Sequence, residues 1–201
     1  MNKNVPNIIT LSRVILTPLM VIFFLLPLKN GIGLFIAAGI YIVGSFTDAL
    51  DGHIARKYNL VSNLGKMLDS IADKFLQTTA LVLVLMGGEI LPLWAAIVVL
   101  LLIILRDIWI NAIRQICATN GVVVAADFLG KLKSIFIDIA TSIIMVYIAL
   151  NAILDNMFTT YLLIVGLSIL VVGVALSLIS CVNYTIKCMP VVLGKKTTET
   201  E

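Results

Sequence analysis

Runs of apolar residues about twenty long, separated by short polar interruptions, recur along nearly the whole chain. A membrane-crossing helix needs about 20 mostly apolar residues. The pattern therefore predicts six spans, over 8–28, 31–56, 62–86, 91–118, 127–151 and 157–186. The interruptions carry breakers or polar residues, as in Leu28-Lys29-Asn30-Gly31, Gly87-Gly88-Glu89 and the stretch from Asn151 to Asn156. Asn4-Val5-Pro6-Asn7 and the following Ile8 to Arg13 read as a short interfacial segment leading into the first span. The expected fold is all-α and integral to a membrane. Residues 1–190 form one six-helix domain and 191–201 a disordered tail.

Composition strengthens this reading. Of 201 residues, 61% are hydrophobic and 12% charged, with a mean hydropathy of +1.12. Soluble domains run to about half apolar and about a quarter charged, so this chain lacks the polar surface to coat a water-soluble globule. A cleaved signal peptide does not fit, because apolar segments continue to the C-terminus and the first lacks a small-residue cleavage site. Basic residues set the orientation. Lys3, Arg13, Arg56, Lys57, Lys66, Arg106, Arg114, Lys131, Lys133, Lys187, Lys195 and Lys196 fall at one set of ends, and the opposite loops offer little beyond Lys29. The positive-inside rule makes the first set cytoplasmic, with both termini inside the cell membrane and an even number of spans. Cys117, Cys181 and Cys188 are odd in number and unpaired in pattern, as inert buried thiols are. The one histidine, His53, supplies neither a His-based metal site nor a catalytic triad. Nothing in the sequence points to nucleic acid as a partner.

Four aspartates change the picture. Asp48 and Asp51 close the second predicted span, and Asp69 and Asp73 open the third. Each would cost about 2.5–3.5 kcal/mol facing lipid, so they face a polar cavity near the cytoplasmic surface. The spacings i, i+3 and i, i+4 put each pair on one helix face. Gly52 and Gly65 beside them let a ligand or a facing helix approach the backbone. Carboxylates this close repel unless a cation lies between them. Hard oxygen donors favour magnesium or manganese, and four suffice for two ions, an arrangement that clamps a transferring phosphoryl group. Arg56 lies at the same mouth and suits a phosphate. Two other readings use the same residues: helix-end salt bridges to Lys57, Lys66 and Lys74, or the cation path of a divalent-cation carrier.

The stretch from Asp48-Ala49-Leu50-Asp51-Gly52 through Ala55-Arg56, then Gly65, Asp69 and Asp73 after eight intervening residues, resembles the signature of the CDP-alcohol phosphatidyltransferase family at every defining position. The resemblance implies a six-span membrane fold. It also implies a reaction in which a hydroxyl attacks the phosphorus of a CDP-linked lipid and CMP leaves. By position it makes Asp48, Asp51, Asp69 and Asp73 metal ligands and Asp73 the general base. It makes Gly52, Arg56, Ser62 and Gly65 contacts of CDP-diacylglycerol, with Asn7 and Thr10 as weaker ones.

A second cluster bears on the acceptor. Arg106 and Arg114 lie two helical turns apart, and Lys131 and Lys133 open the next predicted span. Together they read as a pocket for an acceptor phosphate, or else as basic side chains snorkelling to the interface. The Arg106-Asp107-Ile108…Arg114 stretch and Gly130-Lys131-Leu132-Lys133-Ser134 resemble the branch of that family whose acceptor is sn-glycerol 3-phosphate. Relatives using other acceptors share the aspartate signature. The family resemblance also implies a homodimer, and Gly166, Gly173 and Ala175 offer a small-residue surface for close helix packing.

Overall fold

The computed structural model describes the backbone of residues 5–57, 63–88, 90–120, 128–154 and 157–192, and the side chains of these apart from 5–11, 30, 48–57, 63–67, 69–70 and 128–129. Among the described residues every regular element is helical. The order is α1 (Val5–Leu25), a 3-10 turn (Lys29–Gly31), α2 (Ile32–Lys57), α3 (Asn63–Val82) running into a π turn (Leu83–Gly87), α4 (Leu93–Thr119), α5 (Phe128–Asn151) and α6 (Met157–Val192). Residues 193–201, most of the expected tail, lie outside the described part.

The breaks fall where the polar interruptions predicted them. Gly31 turns the chain with φ at +64°, in the left-handed region that glycine enters without a Cβ penalty. A Cβ there would also sit 2.8 Å from that of Ala152. Gly33 brings α2 against the end of α1 so closely that a Cβ would lie 2.4 Å from the Phe23 carbonyl oxygen. Within α1, Thr17 Oγ1 donates to the Arg13 carbonyl at 2.9 Å, one residue before Pro18. Polar side chains and neighbouring helices of this kind let a proline sit inside a membrane helix.

The chain divides into two compact units. One comprises Met1–Pro92 with Asp138–Leu167, the other Leu93–Ile137 with Ser168–Glu201. In the first, α1 packs on α2 and α3, and its interior mixes small residues such as Ala37, Ala38, Ala72, Ala80, Ala140 and Ala149 with larger apolar ones such as Met20, Leu81, Leu85 and Ile144, all buried. Other large apolar side chains turn outward, with Phe46 68% exposed. In the second unit Trp94 is 72% exposed, while Arg106, Lys133, Ser177 and Ser180 are buried. Polar inside and apolar outside reverses a water-soluble protein. That reversal is expected where the solvent is lipid and helices associate by close packing and interhelical hydrogen bonds.

In the second unit α4 and α6 meet through Ile110, Ile113, Cys117, Tyr184, Cys188 and Val191. All three cysteines are free thiols. Two of the glycines expected to face a partner subunit are occupied within the chain. A Cβ on Gly166 would lie 2.7 Å from Ile144 Cγ1, and one on Gly173 would lie 3.0 Å from Ile137 Cγ1. These positions let α5 and α6 pack on each other, so they give no support to a dimer.

Among the described residues, three helices are long and apolar enough to cross a membrane: Leu93–Thr119, Gly130–Asn151 and Met157–Val192. Ser12–Leu25 and Ile32–Thr47 are shorter apolar stretches. The six expected spans are thus met in part by length and composition.

Candidate active site

Asp48, Asp51, Gly52 and Arg56 lie on the last turns of α2, and Gly65, Asp69 and Asp73 on the first turns of α3. The helical register places Asp48 and Asp51 about one turn apart, and Asp69 and Asp73 likewise. Asn7 and Thr10 lie on α1. Ser62 falls outside the described residues, as do the side chains of Asn7, Thr10, Asp48, Asp51, Arg56 and Asp69. Among the described residues no three His, Cys, Asp or Glu side chains gather as a metal site. Asp73 is half-buried.

One turn beyond Asp73 the same helix presents Gln77. Its Nε2 donates to Asp138 Oδ1 of α5 at 2.7 Å, and Tyr41 of α2 donates its hydroxyl to the same oxygen at 3.0 Å. Tyr41 is buried, and Asp73 lies within its electrostatic reach. Sequence reading did not single out this set. Its signal was an aspartate ten residues into an otherwise apolar span, and an intramembrane ionisable group is a functional candidate by default. Arg13, counted above as an orientation signal and as the end of the interfacial segment, is the largest fully buried side chain among the described residues.

The basic cluster belongs to the second unit. Arg106 Nη1 meets Asp107 Oδ1 at 2.9 Å, and Lys133 Nζ meets the same oxygen at 2.5 Å. The guanidinium also donates through Nε to the Ser177 carbonyl at 3.2 Å and through Nη2 to Ser180 Oγ at 3.0 Å. Arg106 is 8% exposed and Lys133 4%, so both are held from α6 and α4 rather than snorkelling. Gly130 lies beside this cluster, where a Cβ would stand 3.8 Å from Arg106 Nη2. Lys131 differs from its neighbour. Residues two apart on a helix do not share a face, and Lys131 is exposed. Arg114 is exposed as well and stacks over the Tyr184 ring at 5.3 Å. Sequence reading gave the cations a role but gave none to Asp107, which holds both, or to Ser177 and Ser180, which orient Arg106.

A helical protein with large apolar groups outside and buried charge inside, and with an acid pair on each of two successive helices, has the build of an integral membrane protein. The chain belongs to the CDP-alcohol phosphatidyltransferase family, whose model matches residues 3–185. Among curated proteins it resembles the CDP-diacylglycerol–glycerol-3-phosphate 3-phosphatidyltransferase of Bacillus subtilis, 40% identical over 141 residues, covering 65% of this chain and 70% of that one. The protein of the same name from Rickettsia prowazekii is 32% identical over 93% of this chain and 96% of its own length. That from Shigella flexneri serotype 5b is 35% identical over 92% and 94%.

Proposed function

We propose that the protein transfers the phosphatidyl group of CDP-diacylglycerol to sn-glycerol 3-phosphate, giving phosphatidylglycerophosphate and CMP. The observation that carries this reading is similarity along nearly the whole chain to enzymes of that name, together with an unbroken Asp-x-x-Asp-Gly-x-x-Ala-Arg…Gly-x-x-x-Asp-x-x-x-Asp series on α2 and α3.

The donor set fits divalent metal, two magnesium or manganese ions held by Asp48, Asp51, Asp69 and Asp73. It is all carboxylate, and no histidine or cysteine joins it in the register of the two helices. Bound there, such ions supply charge neutralisation for the diphosphate and for the leaving phosphate. Gly52, Arg56, Ser62 and Gly65, with Asn7 and Thr10, hold the CDP part of the lipid. Asp73 accepts the proton of the acceptor's primary hydroxyl as its oxygen bonds to the lipid-side phosphorus. The phosphoanhydride bond then breaks and CMP leaves. Arg106 and Lys133 take the acceptor's phosphate, and exposed Lys131 and Arg114 attract it from water. The reading includes six spans, both termini and the active site on the cytoplasmic side of the cell membrane, and a homodimer whose contact does not use Gly166 or Gly173.

The deciding experiment is purified protein with magnesium or manganese, CDP-diacylglycerol and a panel of acceptors. CMP release should require glycerol 3-phosphate. Release indifferent to that acceptor, or faster with an unphosphorylated polyol, overturns the reading.

A further inference from the structure

We infer that Tyr41, Gln77 and Asp138 form a positioning set that fixes where α3 carries Asp73. This inference rests on the proposed role of Asp73 as the base and extends it to three residues on three helices. Gln77 follows Asp73 by four residues, on the same face of α3 and about 6 Å along its axis. Tyr41 precedes Asp48 by seven residues, two turns up the same side of α2. Both donate to one oxygen, Asp138 Oδ1, at 3.0 and 2.7 Å. Asp138 thus joins the two acid-bearing helices just inside their acidic ends. Its own carbonyl accepts from Ser142 Oγ at 2.8 Å. Beside the set, α2 and α3 interlock so tightly that a Cβ on Gly44 would lie 2.8 Å from Leu76 Cδ2.

Helix packing alone does not call for an aspartate here. A hydroxyl or amide on α5 would bridge the same donors without placing a carboxylate in a membrane helix. What a charged acceptor adds is strength and direction, since hydrogen bonds to an ionised group are shorter and stiffer than neutral ones. A base must sit within hydrogen-bond reach of the proton it takes, and a misplacement of about 1 Å costs about a hundredfold in rate. Two converging charge-assisted bonds one turn away from Asp73 hold the rotation and height of α3 against such slippage.

The test compares Tyr41→Phe, Gln77→Met, Asp138→Asn and Asp138→Leu in purified protein, with kcat and both KM values measured alongside a thermal melt. Positioning predicts that Tyr41→Phe and Gln77→Met each lower kcat about tenfold, with the KM for CDP-diacylglycerol and for the acceptor within about twofold. Asp138→Asn keeps an oxygen for both donors and should lose about threefold or less, against tenfold or more for Asp138→Leu. Unchanged kcat in Tyr41→Phe and Gln77→Met overturns the inference. So do losses that follow the melting temperature, or that appear as raised KM. Gln77→Met decides the matter if Tyr41→Phe does not fold. Asp73→Asn, assayed in parallel, separates the two readings. If it keeps full turnover, the base assignment fails. If it is dead while the three-residue set is indifferent, only the positioning role fails.

Discussion

Asp107 and Asp138 are both aspartates inside apolar helices, and the molecule keeps them there in different ways. Asp107 is clasped by two cations, Arg106 and Lys133, of which Arg106 is fixed in turn by the Ser177 carbonyl and Ser180. Asp138 instead receives two neutral donors, a phenol and an amide. A carboxylate among cations compensates charge and releases part of it only when another anion competes. A carboxylate oxygen that accepts hydrogen bonds from two different helices serves as a stiff anchor. The first arrangement suits a place where an anion is exchanged, the second a place where geometry is held.

The largest effect expected lies with the groups nearest the chemistry. Asp73→Asn removes the proton acceptor and should lower CMP release by about 10²–10⁴-fold, the usual range for a positioned general base, while the thermal melt moves little. Asp69→Asn should fall at least as far, and should shift the magnesium or manganese concentration needed for half-maximal turnover. Turnover retained in both variants would remove the acid pairs from the mechanism.

These aspartates were the most legible part of the chain, because expensive charge at helical spacing can be read without coordinates. The apolar runs were legible too: among the described residues three predicted spans coincide with helices long and apolar enough to cross a membrane and two more with shorter apolar helices, and Gly31 broke the chain as expected. What sequence could not give was partnership across the fold. Arg106 lies next to Asp107 in the chain, yet nothing local says that Lys133, 26 residues further on, shares the same oxygen. Ser177 and Ser180, more than 70 residues from Arg106, look like ordinary small residues in an apolar run. Gly166 and Gly173 show the same limit from the other side. A small-residue stripe says that something packs closely, and only the structure says that it is α5 of the same chain. Lys131 and Lys133 form a middle case, since their i, i+2 spacing already separates them and burial then shows which one faces inward.

The two aspartates should also part company in stability. Asp107→Ala removes the carboxylate that the buried Arg106 and Lys133 share, at a cost of about 3–5 kcal/mol. Asp138→Ala leaves a hydroxyl and an amide unsatisfied but neutral, at about 1–3 kcal/mol. Reversible unfolding in mixed micelles, with both variants measured against the parent, reads the difference. Adding glycerol 3-phosphate should recover part of the Asp107→Ala loss, because a phosphate can take the carboxylate's place between the two cations. It should do nothing for Asp138→Ala. Equal losses with no ligand recovery would mean that the basic cluster is a structural pin and not an anion site.

The smallest effect tests whether charge is what separates these clusters from ordinary interhelical glue. Trp109 Nε1 donates to Thr185 Oγ1 at 3.0 Å, tying α4 to α6 in the same unit as Arg106 but with no ion involved. Thr185 Oγ1 in turn donates to the Cys181 carbonyl at 2.8 Å, so losing the indole donor leaves the hydroxyl its own acceptor. Hydrogen bonds between membrane helices average about 0.6 kcal/mol, and Trp109→Phe should cost no more than that, with the acceptor KM unchanged. A loss matching that of Asp107→Ala would place the strength of the α4–α6 contact in packing around Trp109. In that case charge would not be what sets the Arg106–Asp107–Lys133 cluster apart from neutral contacts between the same helices.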